Sequence, residues 1–223
     1  MVTVKDPSAT TLAARTAVIL FLFVIVFTAV LAAVHAFTRP DIDASAAQEK
    51  QRSIGEVLPQ ALYDNKLLQD KTQIPPTPEL GQDDKSLIYR ARLQGQPAAL
   101  VMEAVAPDGY AGKIRMLVAV KANGELAGVR VTEYKETPGL GDYIDPKKDN
   151  KHKDHPWIEQ FTGLSFARVA EKDWKVKKDG GHFDSVAGAT VTPRAVVKAV
   201  KKALAYANAH RDELFAAPAV PAQ

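Results

Sequence analysis

The sequence predicts an α+β fold: a single N-terminal transmembrane helix, followed by one domain in which helices flank an antiparallel sheet. Two observations lead to this prediction. One long apolar run near the N-terminus carries no charged residue, and strand-like runs are grouped between residues 87 and 134, with helical patterns on either side. Strands that are grouped, rather than alternating with helices, are typical of an antiparallel sheet with helices beside it.

The apolar run covers residues 16–37 and predicts a membrane-spanning helix. Its 22 residues span about 33 Å as a helix, which matches a bilayer core of about 30 Å. A cleaved signal peptide is the alternative, but its apolar region usually has only about 7–15 residues. Lys5 and Arg15 precede the run, so we expect residues 1–15 in the cytoplasm, lipid around the helix, and the large domain on the outer side.

Residues 38–85 are expected to connect this helix to the domain. The segment 44–58 has a helix-forming composition, and 73–84 contains three prolines, which favours an irregular connector. The domain itself is predicted to cover residues 86–215. Residues 216–223 are low in complexity and predict a flexible tail.

Inside the domain, the pattern predicts a meander of about four strands, at 87–93, 98–106, 113–122 and 125–134. Asn123-Gly124 separates the last two and favours a tight hairpin with a type I′ turn. After the meander we expect a short helix at 155–163, closed by Gly163, and a further strand at 173–178. A long helix from Pro193 to Phe215 follows, because its apolar residues recur at helical spacing.

The composition excludes several classes of function. The 223 residues include no cysteine, which rules out disulfides, thiolate metal sites, cysteine-ligated iron–sulfur clusters and thiol nucleophiles. A net charge of only +3 and an aromatic content of 7% argue against nucleic acid as a partner. His152 and His155 lie in the lysine-rich stretch 145–155, which we expect to be a solvated basic loop and not a metal site.

The stretch 184–193, DSVAGATVTP, places hydroxyl residues among small ones directly before the long helix. Thr192-Pro193 suits a helix start, with Thr192 as the N-cap and Pro193 as the first helical residue. Thr190 would then lie near free N–H groups and the positive end of the helix dipole, where a phosphate is stabilised. Gly188 and Ala189 leave space for close approach. The alternative is a capping turn with no further role.

The stretch 136–142, ETPGLGD, predicts a loop directly after the last strand. Pro138-Gly139 suits a type II turn, because glycine accepts the positive φ of its third position. Gly141 adds a second flexible point, so the loop could present bare amides to a planar ligand. An ordinary surface turn is the alternative. The pattern lacks the third glycine and the following helix of a dinucleotide-binding motif.

Together, ETPGLG and DSVAGAT resemble the FMN-binding domain of bacterial redox membrane complexes. In that family a separate flavin transferase joins the phosphate of FMN to the last threonine of the second motif. The resemblance implies Thr190 as the attachment residue and Asp184 as a residue that the transferase recognises. Ala187 departs from the family, which usually has Ser or Thr there. The other cofactor-binding residues that the resemblance implies are Gly188, Ala189, Glu136, Thr137, Gly139, Leu140 and Gly141.

Two further residues are weaker candidates at the same site. Ser185 is the next candidate acceptor if Thr190 does not carry the flavin. His182, beside Gly180 and Gly181, is a candidate flavin contact.

The whole layout, with one N-terminal span and LYDNKLLQD at 62–70, resembles the G subunits of Rnf ion-translocating oxidoreductases. The resemblance implies an electron-transfer subunit of a translocase, with covalent FMN in a periplasmic domain at the inner membrane. Its complex would couple electron flow between NADH and ferredoxin to ion movement, with other membrane subunits as partners. We expect no catalytic acid, base or nucleophile of its own, because the flavin carries the chemistry.

Two alternatives stay open at the level of the sequence. One is the related C subunit of the sodium-pumping NADH:quinone oxidoreductase, which carries the same attachment motif. The other is a flavin-binding membrane sensor or adaptor that does not belong to a translocating complex.

Overall fold

The computed structural model describes residues 9–152 and 154–220, without the side chains of Pro40 and Asp43. The chain forms two compact units, residues 1–49 and 50–223. Most of the predicted cytoplasmic tail lies outside the described residues. The last three residues of the predicted C-terminal tail do so as well.

The described part of the first unit is helical. Helix α1 runs without a break over Ala9–Gly55, so the predicted membrane span and most of the predicted helix at 44–58 lie in one element. The helix is long and apolar enough to cross a membrane. The hydroxyls of Thr16 and Thr38 donate to the carbonyls of Leu12 (3.0 Å) and Val34 (2.8 Å). These hydroxyls near the ends of the apolar run are therefore satisfied within the helix itself.

The second unit is built on one antiparallel sheet. Its strands are β1 (Lys71–Ile74), β2 (Ser86–Leu93), β3 (Gln96–Ala106), β4 (Ile114–Lys121) and β5 (Leu126–Glu133), and they lie side by side in that order. The predicted meander is therefore confirmed. Strand β1 was not predicted: it lies in the segment that the sequence assigns to the connector.

The turn at Asn123-Gly124 differs from the prediction. A type I′ turn needs a positive φ at both central residues. Among the described non-glycine residues only Gln94 has a positive φ, so Asn123 does not meet this requirement. The Gly124 N–H donates to the Lys121 carbonyl at 2.9 Å, and Gly124 itself has a φ of 83°. This is a three-residue loop with a bulged glycine, so the predicted type I′ turn is wrong here.

The type I′ turn lies instead between β2 and β3. Gln94 (φ 52°) and Gly95 (φ 77°) are its two central residues, and Leu93 pairs with Gln96. A two-residue loop of this type matches the twist of the strands that it joins.

Both faces of the sheet are covered. Helix α2 (Val191–Ala216) packs with one face, in a core that includes Leu100 and Met102 of β3. The other face packs with residues 54–67 through Ala99 and Val101. Because neighbouring residues of β3 point to different cores, the strand is apolar almost throughout instead of alternating.

The segment between β5 and α2 is irregular. It contains four short 3-10 helices, at Asp142–Ile144, Trp157–Phe161, Glu171–Asp173 and Lys177–Asp179. The predicted helix at 155–163 is the second of these. The predicted strand at 173–178 is wrong, since this stretch forms only one isolated bridge, from Val176 to Phe183. Trp174 and Val176 are buried and Lys175 is exposed, so the alternation is real but not part of a sheet.

The described part of the C-terminal tail is held to the sheet. The Ala217 N–H donates to the Glu213 carbonyl (2.9 Å), and the Val220 N–H donates to the Lys71 carbonyl of β1 (2.8 Å). The tail that the sequence predicts as flexible therefore reaches the edge strand that the sequence does not predict.

Candidate functional site

The start of α2 differs from the predicted one. The helix begins at Val191, which places Thr190 at the N-cap position and Pro193 at the third helical residue. Thr190 has helical dihedral angles (φ −93°, ψ −16°), and no side chain caps the helix. The prediction of Thr192 as N-cap is therefore wrong. The Thr-Pro signal is local, and here it lies inside the first turn.

The Thr192 hydroxyl has a different partner. It donates a hydrogen bond to Oε2 of Glu136, which precedes it by 56 residues. Both side chains are buried: Thr192 is 2% exposed and Glu136 is 4% exposed. Oε1 of Glu136 accepts the N–H of Ala111 at 3.1 Å. The carboxylate is thus satisfied by two donors from different segments.

The backbone beside Thr190 has free donors. In the described structure the N–H groups of Val191 and Thr192 form no hydrogen bond, and Pro193 has no N–H. The Arg194 N–H makes the first helical bond, to the Thr190 carbonyl at 3.3 Å. The first turn contains no acidic residue. Unpaired N–H groups and the positive dipole end make such a turn favourable for an anion.

A tight turn precedes Thr190. The Ala189 N–H donates to the Val186 carbonyl at 3.1 Å, and Gly188 has a φ of 84°, which favours glycine. A side chain at Gly188 would meet no heavy atom within 4 Å. The glycine is therefore required by the backbone conformation, and the space beside it is open, as expected from the sequence.

Tyr143 fixes this turn from below. Its hydroxyl donates to the Ala189 carbonyl (3.2 Å) and accepts the Val186 N–H (3.4 Å). Burial raises the pKa of Tyr143 to about 12, so the hydroxyl keeps its proton at neutral pH. The ring contacts the edge of Trp157, with 5.6 Å between centroids. The turn is thereby connected to the aromatic core of the domain.

The loop after β5 contains the predicted turn. The Leu140 N–H donates to the Thr137 carbonyl at 3.1 Å, and Gly139, the third residue, has a φ of 76°. Three N–H groups of this loop are bonded within the loop itself. The Gly139 N–H donates to Asp142 (2.8 Å), and the Gly141 N–H, like that of Leu140, donates to the Thr137 carbonyl (3.0 Å). At the α2 start, by contrast, the N–H groups of Val191 and Thr192 have no partner in the described structure.

Most of the predicted site residues are brought together around one small cavity. Its volume is about 140 Å³, and its lining combines the loop after β5, the turn before α2 and the α2 start. The predicted residues in this lining are Glu136, Thr137, Leu140, Gly141, Gly188, Ala189 and Thr190. Residues 136–141 and 188–190 are distant in sequence, so the fold brings the two motifs together at one cavity.

The rim of the cavity is apolar and exposed. Among the described residues of the second unit, four large apolar side chains are exposed, and three of them line this cavity. These are Tyr110 (70% exposed), Leu140 (47%) and Val191 (43%). Exposed apolar side chains that cluster in this way are typical of a binding surface. Tyr110 is not among the predicted site residues, although an aromatic residue in the turn at 107–110 is a recognisable signal.

Other candidates lie outside this lining. The Asp184 side chain is 59% exposed and pairs with Lys177 (2.7 Å), while its N–H and carbonyl bond Gln160 and Trp157. Ser185 and Gly139 do not line the cavity either. His182 is exposed and packs against Phe183. The candidate acceptor that lines the cavity is therefore Thr190 and not Ser185.

The basic loop at 145–155 is more ordered than a solvated loop. The Asp149 side chain is fully buried and accepts the N–H groups of Lys151, His152 and Trp157, while His152 Nδ1 lies 3.0 Å away. Burial acts to raise the pKa of Asp149, but the bonds from Trp157 and His152 outweigh it, and the pKa is lowered. The lysines of the loop that the structure describes are exposed, as expected, and His155 is exposed too.

Comparison with protein families defines the class of this site. Residues 109–205 match the model of the FMN-binding domain, and this range contains the complete cavity lining. Residues 10–57 match the model of the RnfG N-terminal region. The fold and the site therefore define a protein with an FMN-binding domain behind an N-terminal helix.

Relatives extend the similarity over nearly the whole chain. The chain is 46% identical to the G subunit of the ion-translocating oxidoreductase complex of Pseudomonas aeruginosa (strain UCBPP-PA14), over 91% of this chain and 92% of the relative. The corresponding subunits of Shewanella loihica and Vibrio cholerae are 42% and 40% identical, each over 92% of this chain and 94% of the relative.

The chain belongs to the family of G subunits of the ion-translocating oxidoreductase complex. The family predicted from the two motifs is thereby confirmed, and so is the predicted function of an FMN-binding electron-transfer subunit.

Proposed function

We propose that this chain carries FMN in phosphoester linkage to Thr190 and transfers electrons within an ion-translocating membrane complex. The observation that carries the proposal is the position of Thr190. It lies at the uncapped start of α2, in the lining of the cavity that unites both sequence motifs.

The donors around Thr190 fit a phosphate. The free N–H groups of Val191 and Thr192 lie next to it in the chain, and no acidic residue occupies the first turn of α2. A phosphoester at this position would be stabilised by unpaired donors and by the helix dipole. Glu136 is the nearby anion, but its carboxylate is already bonded to Thr192 and Ala111.

The cavity is too small to enclose a complete flavin nucleotide. Ligand pockets usually measure about 300–1,000 Å³, whereas this one measures about 140 Å³. The isoalloxazine ring would therefore contact the apolar rim, and Tyr110, Leu140 and Val191 are the side chains that would hold it. A ring held at the rim stays accessible to redox partners.

The attachment reaction needs an activated donor. The Thr190 oxygen would form a bond with the phosphorus of the FMN group, and the phosphoanhydride bond of a flavin dinucleotide would break. A nucleoside monophosphate would leave, which is easier than the loss of hydroxide from FMN itself. The hydroxyl proton would pass to a base of the flavin transferase, with no electron transferred.

The chain's own residues bind and orient the flavin. Bound FMN supplies one- and two-electron redox chemistry, so the protein needs no acid, base or nucleophile for electron transfer. Other membrane subunits are the proposed electron partners. By family resemblance, the complex couples electron flow between NADH and ferredoxin to ion movement and acts as a translocase.

Attachment is tested with the full chain co-expressed with a flavin transferase. Thr190→Val keeps the side-chain shape and removes the hydroxyl, so in-gel flavin fluorescence of the denatured protein should disappear. Ser185→Ala is the matched control and should keep the fluorescence. Retention of fluorescence by Thr190→Val, with its loss in Ser185→Ala, would reassign the acceptor to Ser185.

We propose that α1 spans the inner membrane in contact with lipid and that the domain lies in the periplasm. Lys5 and Arg15 precede the apolar run, which favours a cytoplasmic N-terminus. A periplasm-dependent reporter fused after Gln223 should be active. Activity of a cytoplasm-dependent reporter at the same position would reverse the proposed orientation.

The two alternative functions are less well supported. The match of residues 10–57 to the RnfG N-terminal region favours this family over the C subunit of the sodium-pumping NADH:quinone oxidoreductase. A solitary sensor or adaptor is separated by purification under mild detergent. We expect a stable multi-subunit complex, and recovery of the chain alone from its native membrane would favour the sensor.

A further inference from the structure

Three segments of different origin meet at the buried carboxylate of Glu136. Its Oε1 accepts the N–H of Ala111, in the loop between β3 and β4, at 3.1 Å. Its Oε2 accepts the hydroxyl of Thr192, in the first turn of α2. Glu136 itself belongs to the loop after β5. One side chain therefore joins all three segments.

Two glycines leave room for this carboxylate. A Cβ on Gly141 would lie 2.9 Å from Oε2 of Glu136 and 2.8 Å from Oγ1 of Thr192. A Cβ on Gly109 would lie 2.9 Å from Oε1 of Glu136. Gly141 has an ordinary negative φ of −97°. It is thus required by space and not by flexibility, contrary to the expectation from sequence.

Each of the three segments presents one exposed apolar side chain. Tyr110 directly precedes Ala111, Val191 directly precedes Thr192, and Leu140 directly precedes Gly141. All three line the same cavity. Each exposed rim residue is therefore followed in the chain by a residue that lies beside the Glu136 carboxylate.

We infer that Glu136 is a positioning residue that holds Tyr110, Leu140 and Val191 together as one platform for the isoalloxazine ring. It acts through Ala111 and Thr192 and not as a ligand of the flavin. Charge-assisted hydrogen bonds are stronger than neutral ones, and a buried carboxylate is costly unless it is satisfied. The inference rests on the proposed attachment of FMN to Thr190.

The hydrogen bond between Thr192 and Glu136 can be removed by a substitution that preserves the shape of the side chain. Thr192→Val preserves the buried shape and removes the hydroxyl, whereas Thr192→Ser keeps the hydroxyl. Glu136→Gln tests the same contact from the other side. Thr77→Val is the matched control, because Thr77 is also buried and also donates through its hydroxyl, to the Pro75 carbonyl at 2.8 Å, outside the cavity lining.

The full chain is loaded with flavin by co-expressed transferase, and intact mass confirms attachment in every variant. The readouts are the fluorescence anisotropy decay and the midpoint potential of the bound flavin. In wild type, Thr192→Ser and Thr77→Val, the flavin ring should rotate with the domain. The midpoint potential of the flavin should be the same in all three proteins. In Thr192→Val and Glu136→Gln, a fast component on the picosecond-to-nanosecond timescale of exposed side chains should appear, and the potential should shift. Circular dichroism and the melting temperature separate this effect from unfolding.

The outcomes are distinct. Attached flavin with wild-type anisotropy and potential in folded Thr192→Val and Glu136→Gln overturns the inference and leaves the proposed function intact. The same changes in Thr77→Val also overturn it, because they would show a general loss of stability. Absence of covalent flavin from wild type overturns the proposed function and this inference with it.

Discussion

The two ends of helix α2 differ in whether side chains bind their terminal backbone groups. At the C-terminal end, side chains from β2 donate to the last carbonyls of the helix. At the N-terminal end, no side chain caps the helix, and the N–H groups of Val191 and Thr192 are unpaired in the described structure. Both ends of a helix expose unsatisfied backbone groups. The difference between them fits a C-terminal end that serves stability and an N-terminal end that we propose binds the FMN phosphate.

The C-terminal end is bound by two arginines. Arg90, which is 3% exposed, donates to the carbonyls of Leu214 (3.2 Å) and Ala217, and Arg92 donates to that of Phe215 (2.9 Å). Asp70 accepts from Arg90 at 2.6 Å and from Arg92 at 2.8 Å. Cations at the negative end of the helix dipole are favourable. This network joins the helix to the sheet far from the proposed flavin site.

The N-terminal end is held indirectly. Tyr143 bonds the turn before Thr190, and Glu136 bonds Thr192, but neither contact uses the free N–H groups. The turn is therefore fixed in position while its donors stay available. A protein that only needed a stable helix would gain about 1 kcal/mol from a capping side chain here.

The largest expected effect is at the C-terminal end. Arg90→Met removes a buried charge from Asp70 and the donor from the carbonyls of Leu214 and Ala217. It should lower the free energy of unfolding by about 3–5 kcal/mol. Denaturant unfolding of the full chain in detergent, followed by the fluorescence of Trp157 and Trp174, measures the change.

Arg115→Met is the control for this variant. Arg115 pairs with Glu133 at 3.3 Å, and both side chains are more than half exposed, so its loss should cost less than about 1 kcal/mol. Flavin attachment should persist in both variants under folding conditions. Equal destabilisation by the two substitutions would contradict the special role of the buried arginine.

Removal of the hydrogen bonds that Tyr143 makes to the turn before α2 should have a smaller effect on the free energy of unfolding. Tyr143→Phe removes the hydroxyl and should cost about 1 kcal/mol at neutral pH. The folded-state pKa of about 12 is raised above the ordinary value of 10. The contribution of the Tyr143 hydroxyl to folding stability is therefore complete below about pH 10 and is lost as the pH rises towards 12.

The stability of the variant should therefore fall less steeply than that of wild type between these two pH values. Unfolding curves recorded across this interval measure both slopes. Parallel curves would mean that the buried hydroxyl does not hold its proton more tightly in the folded protein.

The smallest expected effect is a gain in stability. Thr190→Asp places a negative charge beside the free N–H groups at the positive end of α2. It should raise the free energy of unfolding by about 0.3–1 kcal/mol relative to Thr190→Val. An equal free energy of unfolding for Thr190→Asp and Thr190→Val would show that this end of the helix does not stabilise a negative charge.

Local patterns predicted much of this fold, and long-range contacts explain the rest. The meander follows from strand-like runs separated by turn residues, α2 follows from apolar periodicity, and the turn at Gly139 follows from Pro138-Gly139. Strand β1 is only four residues long and lies within the predicted connector, so it has little local signal. The type of the turn at Gly124 depends on strand register, which the pair Asn123-Gly124 alone does not determine.

The site shows the same division. Both motifs were recognised, and the fold brings them together. The roles within them were less predictable: Thr192 resembles an N-cap locally, but its partner Glu136 is 56 residues away. Gly141 resembles a flexible point, but its missing side chain makes room for that same contact. These roles become visible only when distant segments are placed side by side.

We propose that the uncapped start of α2 carries the flavin at Thr190. Fragment-ion mass mapping of the peptide that contains residues 184–194, from full chain co-expressed with a flavin transferase, tests this directly. We expect an added mass equal to FMN less one water, localised to Thr190. Localisation of that mass to Ser185 or Thr192, or an unmodified peptide from cells with active transferase, would contradict it.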